Sequence, residues 1–176
     1  MDFQKTLATI AEFLEGNDLR YALIGGFALA AYGHTRATLD LDLVVEQEAQ
    51  DPIIQFMESL GFATLHRSPG YSNHLHADPS LGRVDFVYVR GETGEDLFRA
   101  TRDLKGPGDL SVPVPKPEHL AAMKVLAMKN DPDRTFQELA DIRVLMKQPG
   151  VDREEIRRYF NKHELGDRFD ELERSL

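Results

Sequence analysis

The sequence predicts an α/β (α+β) fold, a mixed β-sheet flanked by helices and followed by a C-terminal helical lobe. Three observations carry this. Tyr21 to Glu46 reads as strand, glycine turn, helix and strand in close succession. A second β-rich run, from Arg83 to Val89, follows after an intervening helix and hairpin. After Pro117 the composition turns helical and stays so to the end. Residues 1–110 are therefore read as an α/β core and residues 111–176 as a helical region packed on it in a single compact unit.

The elements follow in order. Phe3, Leu7, Ile10, Phe13 and Leu14 recur at helical spacing, so Asp2 to Glu15 is an amphipathic helix that ends near Gly16 and Asn17. Tyr21 to Ile24 suits a short buried strand. Gly25 and Gly26 come next; without a Cβ they tolerate positive φ and close approach by another group. Phe27 to Tyr32 is Ala-rich and helical, with Gly33 at the C-cap position. Leu39, Leu41 and Leu43 then alternate with Asp40 and Asp42. This period of two puts both carboxylates on one face of a strand, their Cα atoms roughly 6.6 Å apart.

Asp51 and Pro52 open a crossover helix whose inner face is Ile53, Ile54, Phe56, Met57 and Leu60, closed by Gly61. Phe62 to Leu65 and Tyr71 to His76 read as two short strands joined by a turn over Arg67 to Gly70. His74 and His76 alternate on the second. With no third ligand nearby, the pair reads as a solvated or hydrogen-bonded face before it reads as a metal site. Pro79 to Gly82 turns the chain into the strand of Asp85, and a hairpin placing Asp85 beside the Asp40/Asp42 strand is the simplest arrangement. Gly91 to Pro117 is the least regular stretch; its Ser111 to Pro115 suits an edge strand or an extended linker. Four helices complete the chain, with Leu120, Met123, Leu126 and Ala127 inward on the first and Phe136, Leu139, Ile142, Val144 and Leu145 on the second.

Composition narrows the function. The chain has 176 residues, no cysteine and a net charge of −9. Disulfides and thiolate metal sites are excluded, and a reducing cytoplasm is the expected location. The charge argues against broad non-specific binding to nucleic acid. No basic segment followed by an apolar run opens the sequence and no apolar stretch approaches the length of a membrane span, so neither a secretory leader nor membrane insertion is expected.

An isolated Asp-x-Asp on a strand is ordinarily a solvated acidic face. Here it follows a glycine turn and a helix, and Asp85 adds a third carboxylate from a neighbouring strand. Three like charges together call for cations. Carboxylate oxygens are hard ligands that suit Mg²⁺, or Mn²⁺. Two such ions about 3.5–4 Å apart clamp the attacking and leaving oxygens of a phosphoryl-centre reaction. In that scheme Asp40 and Asp42 bridge both ions, and Asp85 completes the one on the nucleophile side.

The stretch GGFALAAYGHTRATLDLDL resembles the core of the polymerase-beta-like nucleotidyltransferase superfamily, closest to its AbiEii/AbiGii toxin-like branch. The resemblance rests on Gly25, Gly26, Gly33, Arg36, Thr38, Asp40 and Asp42 standing in register. It implies an enzyme that moves an NMP from an NTP to a hydroxyl acceptor on RNA, protein or a small molecule. Asp40, Asp42 and Asp85 would be its catalytic, metal-holding residues. Gly25 and Gly26 would offer backbone N–H groups to phosphates. Arg36 would reach a phosphate or lock its loop through a carboxylate, and Thr38 would order the strand. Lys124, Arg134 and Asp141 are similar to the family's helical motifs, which make Lys124 a phosphate contact and Asp141 a secondary site residue. Relatives commonly carry Lys-Asp just before that aspartate, where this chain has Gln137 and Glu138. On the residues alone, Lys124 and Asp141 are equally well read as solvated helix faces or a salt bridge. The branch further implies the toxin of a toxin–antitoxin pair with a separate antitoxin partner. The alternative from another class is a non-catalytic nucleotide- or partner-binding module on the same fold.

Overall fold

The computed structural model describes residues 2–176. They form two compact units, one reaching to Pro115 and one spanning Lys116–Leu176.

The first unit is built on a five-stranded mixed sheet. Its strands are β1 (Tyr21–Leu23), β2 (Asp40–Glu46), β3 (Phe62–Ser68), β4 (Tyr71–His76) and β5 (Arg83–Val89), in the order β1-β2-β5-β4-β3. β1 pairs antiparallel with β2, and the hairpin β3–β4 continues antiparallel into β5. β5 lies beside β2 as expected, but the two run parallel. The reason is the excursion between them, helix α3 (Gln50–Ser59) and the β3–β4 hairpin, which returns the chain to the sheet in its original direction.

Helix α1 (Phe3–Gly16) buries Leu7, Ile10 and Leu14, and α3 buries Ile53 and Met57. Leu41 and Leu43 of β2 and Phe86 of β5 are fully buried. Helix α2 (Gly25–Ala31) is the short helix expected between β1 and β2, starting at the glycine pair itself.

The stretch after β5 is more regular than its glycines and prolines suggest. It holds helix α4 (Gly91–Arg99) and a two-stranded antiparallel ribbon, β6 (Arg102–Lys105) with β7 (Ser111–Val114). Gly91, at φ 60°, turns the chain out of β5, and Leu97 buries itself to anchor the helix. Val112 and Val114 bury one face of the ribbon, so tertiary burial overrides the weak local propensity.

The second unit holds four helices, α5 (Pro117–Asn130), α6 (Thr135–Leu145), α7 (Arg153–Lys162) and α8 (Gly166–Arg174). Leu120, Val125, Ile142, Leu145 and Ile156 are buried, and the rings of Phe160 and Phe169 meet edge to face at 5.5 Å. Two expected inward residues point out instead: Leu126 is 46% exposed and Phe136 88%. Their places are taken by charge. Lys124 Nζ lies 2.6 Å from Asp141 Oδ2 and 2.8 Å from Glu138 Oε2, and Arg134 donates to Glu138 Oε1 at 2.5 Å. Lys124, Glu138 and Asp141 are all buried, so each helix is rotated to bring its ionic residues inside. Among the described residues no helix is long and apolar enough to cross a membrane.

Removing one member of a buried ion group strands the others. Lys124→Met is therefore expected to destabilise the protein by about 3–5 kcal/mol in urea denaturation. A loss below about 1 kcal/mol would show that the carboxylates find water or another cation without it.

Candidate active site

The site starts from register. β2 alternates buried Leu41 and Leu43 with partly exposed Asp40 and Asp42, and Asp42 stands directly opposite Asp85 on β5. Asp40 stands opposite Arg83. Parallel pairing thus sets the three carboxylates on one face, and one oxygen from each lies within 4.8 Å of the others.

Each carboxylate has a structural neighbour dedicated to it. Thr38 Oγ1 donates to Asp40 Oδ1 at 2.9 Å. Asp42 lies against Gly25, which has φ 66°; a Cβ built there would stand 2.6 Å from Asp42 Cγ. Gly26 gives the same room to Thr38, whose Cβ would be 2.8 Å from an added Cβ. Ile24 N donates to the Asp42 carbonyl at 3.0 Å and ties the turn to the strand. Asp85 accepts from two donors, Arg83 Nε at 2.9 Å on Oδ1 and Tyr71 Oη at 2.8 Å on Oδ2. Arg83 also donates to Tyr71 Oη at 3.2 Å. Burial, then the bond to Asp85, raises the Tyr71 phenol above its ordinary pKa, so it remains a donor at neutral pH.

The donor set fits a hard divalent cation. Three carboxylates converge, and Gly25, having no side chain, gives the Asp42 carboxylate the room it occupies.

Arg36 lies in the loop before β2, half-buried, with Nη1 donating to the Ala37 carbonyl at 3.3 Å. Lys124 and Asp141 belong to the Lys116–Leu176 unit and contact each other in its ion group. His74 is fully buried between Ser72 Oγ, 2.9 Å from Nε2, and Thr64 Oγ1, 3.2 Å from Nδ1. Burial lowers its pKa and favours the neutral ring. His76 Nδ1 accepts from Asp78 N at 2.9 Å. Both histidines are thus hydrogen-bonded, and among the described residues Asp40, Asp42 and Asp85 form the one group arranged to hold a metal. Tyr71 and Arg83 escaped the sequence reading. Arg83 had a signal, since it stands two residues before Asp85 and so shares its face. Tyr71 had none, because only the β4–β5 pairing brings it there.

The family model described as nucleotidyl transferase AbiEii toxin, type IV TA system, matches residues 7–175. The chain belongs to this family, the one that its glycine–aspartate stretch resembles. No curated protein matches it in sequence. Solved structures show the nucleotidyltransferase fold. The solution structure of the antibiotic-resistance factor ANT(2'')-Ia superposes with TM-score 0.69 at 15% identity, over 99% of this chain and 98% of that one. The lincosamide antibiotic adenylyltransferase LnuA, bound to lincomycin, gives TM-score 0.58 at 18% identity, over 81% and 96%. An antigenic nucleotidyltransferase-like protein from Paracoccidioides brasiliensis gives 0.57 at 14%, over 96% and 92%. Family and fold together support transferase activity.

Two glycines at positive φ separate backbone strain from crowding at the site. Gly33 has φ 85° with nothing near an added Cβ, whereas at Gly25 the Cβ would meet Asp42. Gly33→Ala is expected to cost about 1–2 kcal/mol in chemical denaturation. Gly25→Ala should cost clearly more, because the Asp42 carboxylate must move as well. Equal losses would mean that Gly25 serves the turn alone.

Proposed function

We propose that this protein transfers an NMP from an NTP to a hydroxyl acceptor, using Mg²⁺ or Mn²⁺ held by Asp40, Asp42 and Asp85. The observation that carries this is the convergence of three carboxylate oxygens within 4.8 Å on one sheet face, beside a glycine turn. Two divalent ions bound there would supply Lewis-acid neutralisation of the phosphoryl oxygens.

The chain's own residues do the rest. The acceptor oxygen forms a bond to the α-phosphorus while the bond to the bridging oxygen breaks, and pyrophosphate leaves. The acceptor's proton passes from its hydroxyl towards the Asp85 side of the site and on to solvent. Thr38 holds Asp40 by a hydrogen bond, and the first-turn N–H groups of Gly25 and Gly26, which lack intrahelical acceptors, would be donors to the triphosphate. Arg36 adds a cation from the loop before β2. Lys124 gives two of its three ammonium N–H donors to Glu138 and Asp141, and in this reading the third is its phosphate donor. We further propose that the protein is cytoplasmic, where NTPs are found, and that it is the toxin of a pair whose antitoxin restrains it. The acceptor is then RNA, protein or a small molecule whose modification stops growth.

Purified protein incubated with each labelled NTP and total cell RNA or protein tests the reading. Asp42→Asn is expected to lower label transfer at least about 100-fold while leaving the fold intact, since charge compensation at the phosphoryl centre is the main source of catalysis. Transfer near the wild-type rate would sink the metal assignment. In a bacterial host, induced wild type should arrest growth, and an Asp40→Ala, Asp42→Ala double variant should not. Equal growth of the two would remove the toxin reading and leave the transferase.

A further inference from the structure

We infer that Tyr71 and Arg83 are positioning residues for Asp85, and that Arg83 is the built-in counter-charge that lets the carboxylates stand together before a metal arrives. This rests on the reading of the Asp40, Asp42 and Asp85 group as the metal centre.

The geometry is that of a clamp. Arg83 Nε takes Oδ1 of Asp85 at 2.9 Å, and Tyr71 Oη takes Oδ2 at 2.8 Å. A carboxylate oxygen has two lone pairs, so each keeps one for a ligand. With both oxygens held from separate strands, the carboxylate plane cannot turn about its terminal bond. Arg83 closes the clamp by donating to Tyr71 as well, at 3.2 Å. The Asp85 side chain is only 10% exposed while Arg83 is 41% exposed, so the cation reaches in from the solvent edge and keeps much of its hydration. The guanidinium is a permanent cation, so the pairing puts a fixed positive charge against Asp85.

The two residues act differently. Tyr71 is neutral and contributes orientation alone. Arg83 contributes orientation and charge, and its charge opposes that of an incoming divalent cation. The clamp therefore weakens metal binding somewhat while fixing the carboxylate on which the acceptor side of the reaction depends.

Mn²⁺ titration followed by electron paramagnetic resonance, with Mn²⁺ as the probe, separates these roles. Arg83→Gln is expected to bind Mn²⁺ about three- to tenfold more tightly than wild type, as the loss of one nearby positive charge requires. Arg83→Lys should stay within about twofold of wild type, because the charge remains. Tyr71→Phe should also bind Mn²⁺ within about twofold, yet transfer label about tenfold more slowly with the NTP KM unchanged, the mark of lost orientation. A merely structural role would lower the melting temperature without tightening Mn²⁺ binding. The inference is overturned if Arg83→Gln binds Mn²⁺ no more tightly than wild type, or if Tyr71→Phe transfers at the wild-type rate. Should Arg83→Gln fail to fold, the Tyr71→Phe rate decides alone. Asp42→Asn run alongside keeps the two readings apart. If wild type binds Mn²⁺ no better than Asp42→Asn, the metal centre itself is wrong and the clamp falls with it. If that contrast holds but the Tyr71 and Arg83 variants behave as wild type, only the clamp is wrong.

Discussion

Repulsion among three carboxylates is the constraint to which the first unit is built. Oxygens of Asp40, Asp42 and Asp85 lie within 4.8 Å of one another, a spacing at which like charges repel. The chain meets this with local means. A threonine hydroxyl holds Asp40, a guanidinium and a phenol hold Asp85, and a glycine at positive φ leaves room for Asp42. Each support sits within two residues of its carboxylate or comes from an adjoining strand or turn. The group is therefore set by the backbone of the sheet and its first turn.

That backbone is in turn held by burial. Leu41, Leu43 and Phe86 are fully buried, and they alternate with the aspartates along β2 and β5. A slip of one residue would send both β2 aspartates into the core and both leucines to solvent, so the hydrophobic face locks the register. The Asp42–Asp85 pairing is thus a by-product of apolar packing on the other side of the same strands.

Much of this was legible in the sequence because it depends on short-range pattern. Period-two alternation gave Asp40 and Asp42 their common face, and the glycine pair before an Ala-rich run marked the turn. What was not legible depends on pairing between distant segments. The parallel course of β5 follows from the α3 and hairpin excursion, and Tyr71 reaches Asp85 only through the β4–β5 ladder. The helices misled in another way. Leu126 and Phe136 fit an apolar stripe, but the inward positions went to Lys124, Glu138 and Asp141. Periodicity weighs apolar residues and has no means of anticipating an ion group that satisfies itself inside.

The two charged centres differ in a way that bears on what each can do. In the Lys116–Leu176 unit, Glu138 and Asp141 are each 1% exposed, and Lys124 joins them directly. Every group there has an oppositely charged partner at bonding distance. Such a centre sets how α5 and α6 are rotated, and it is costly to break. In the sheet, Asp40 and Asp42 remain partly exposed, and Asp85 is held by donors that leave lone pairs unused. The first arrangement is complete within the protein. The second is held in shape but left open, which is what a site needs if its last charges are to come from solution with the substrate.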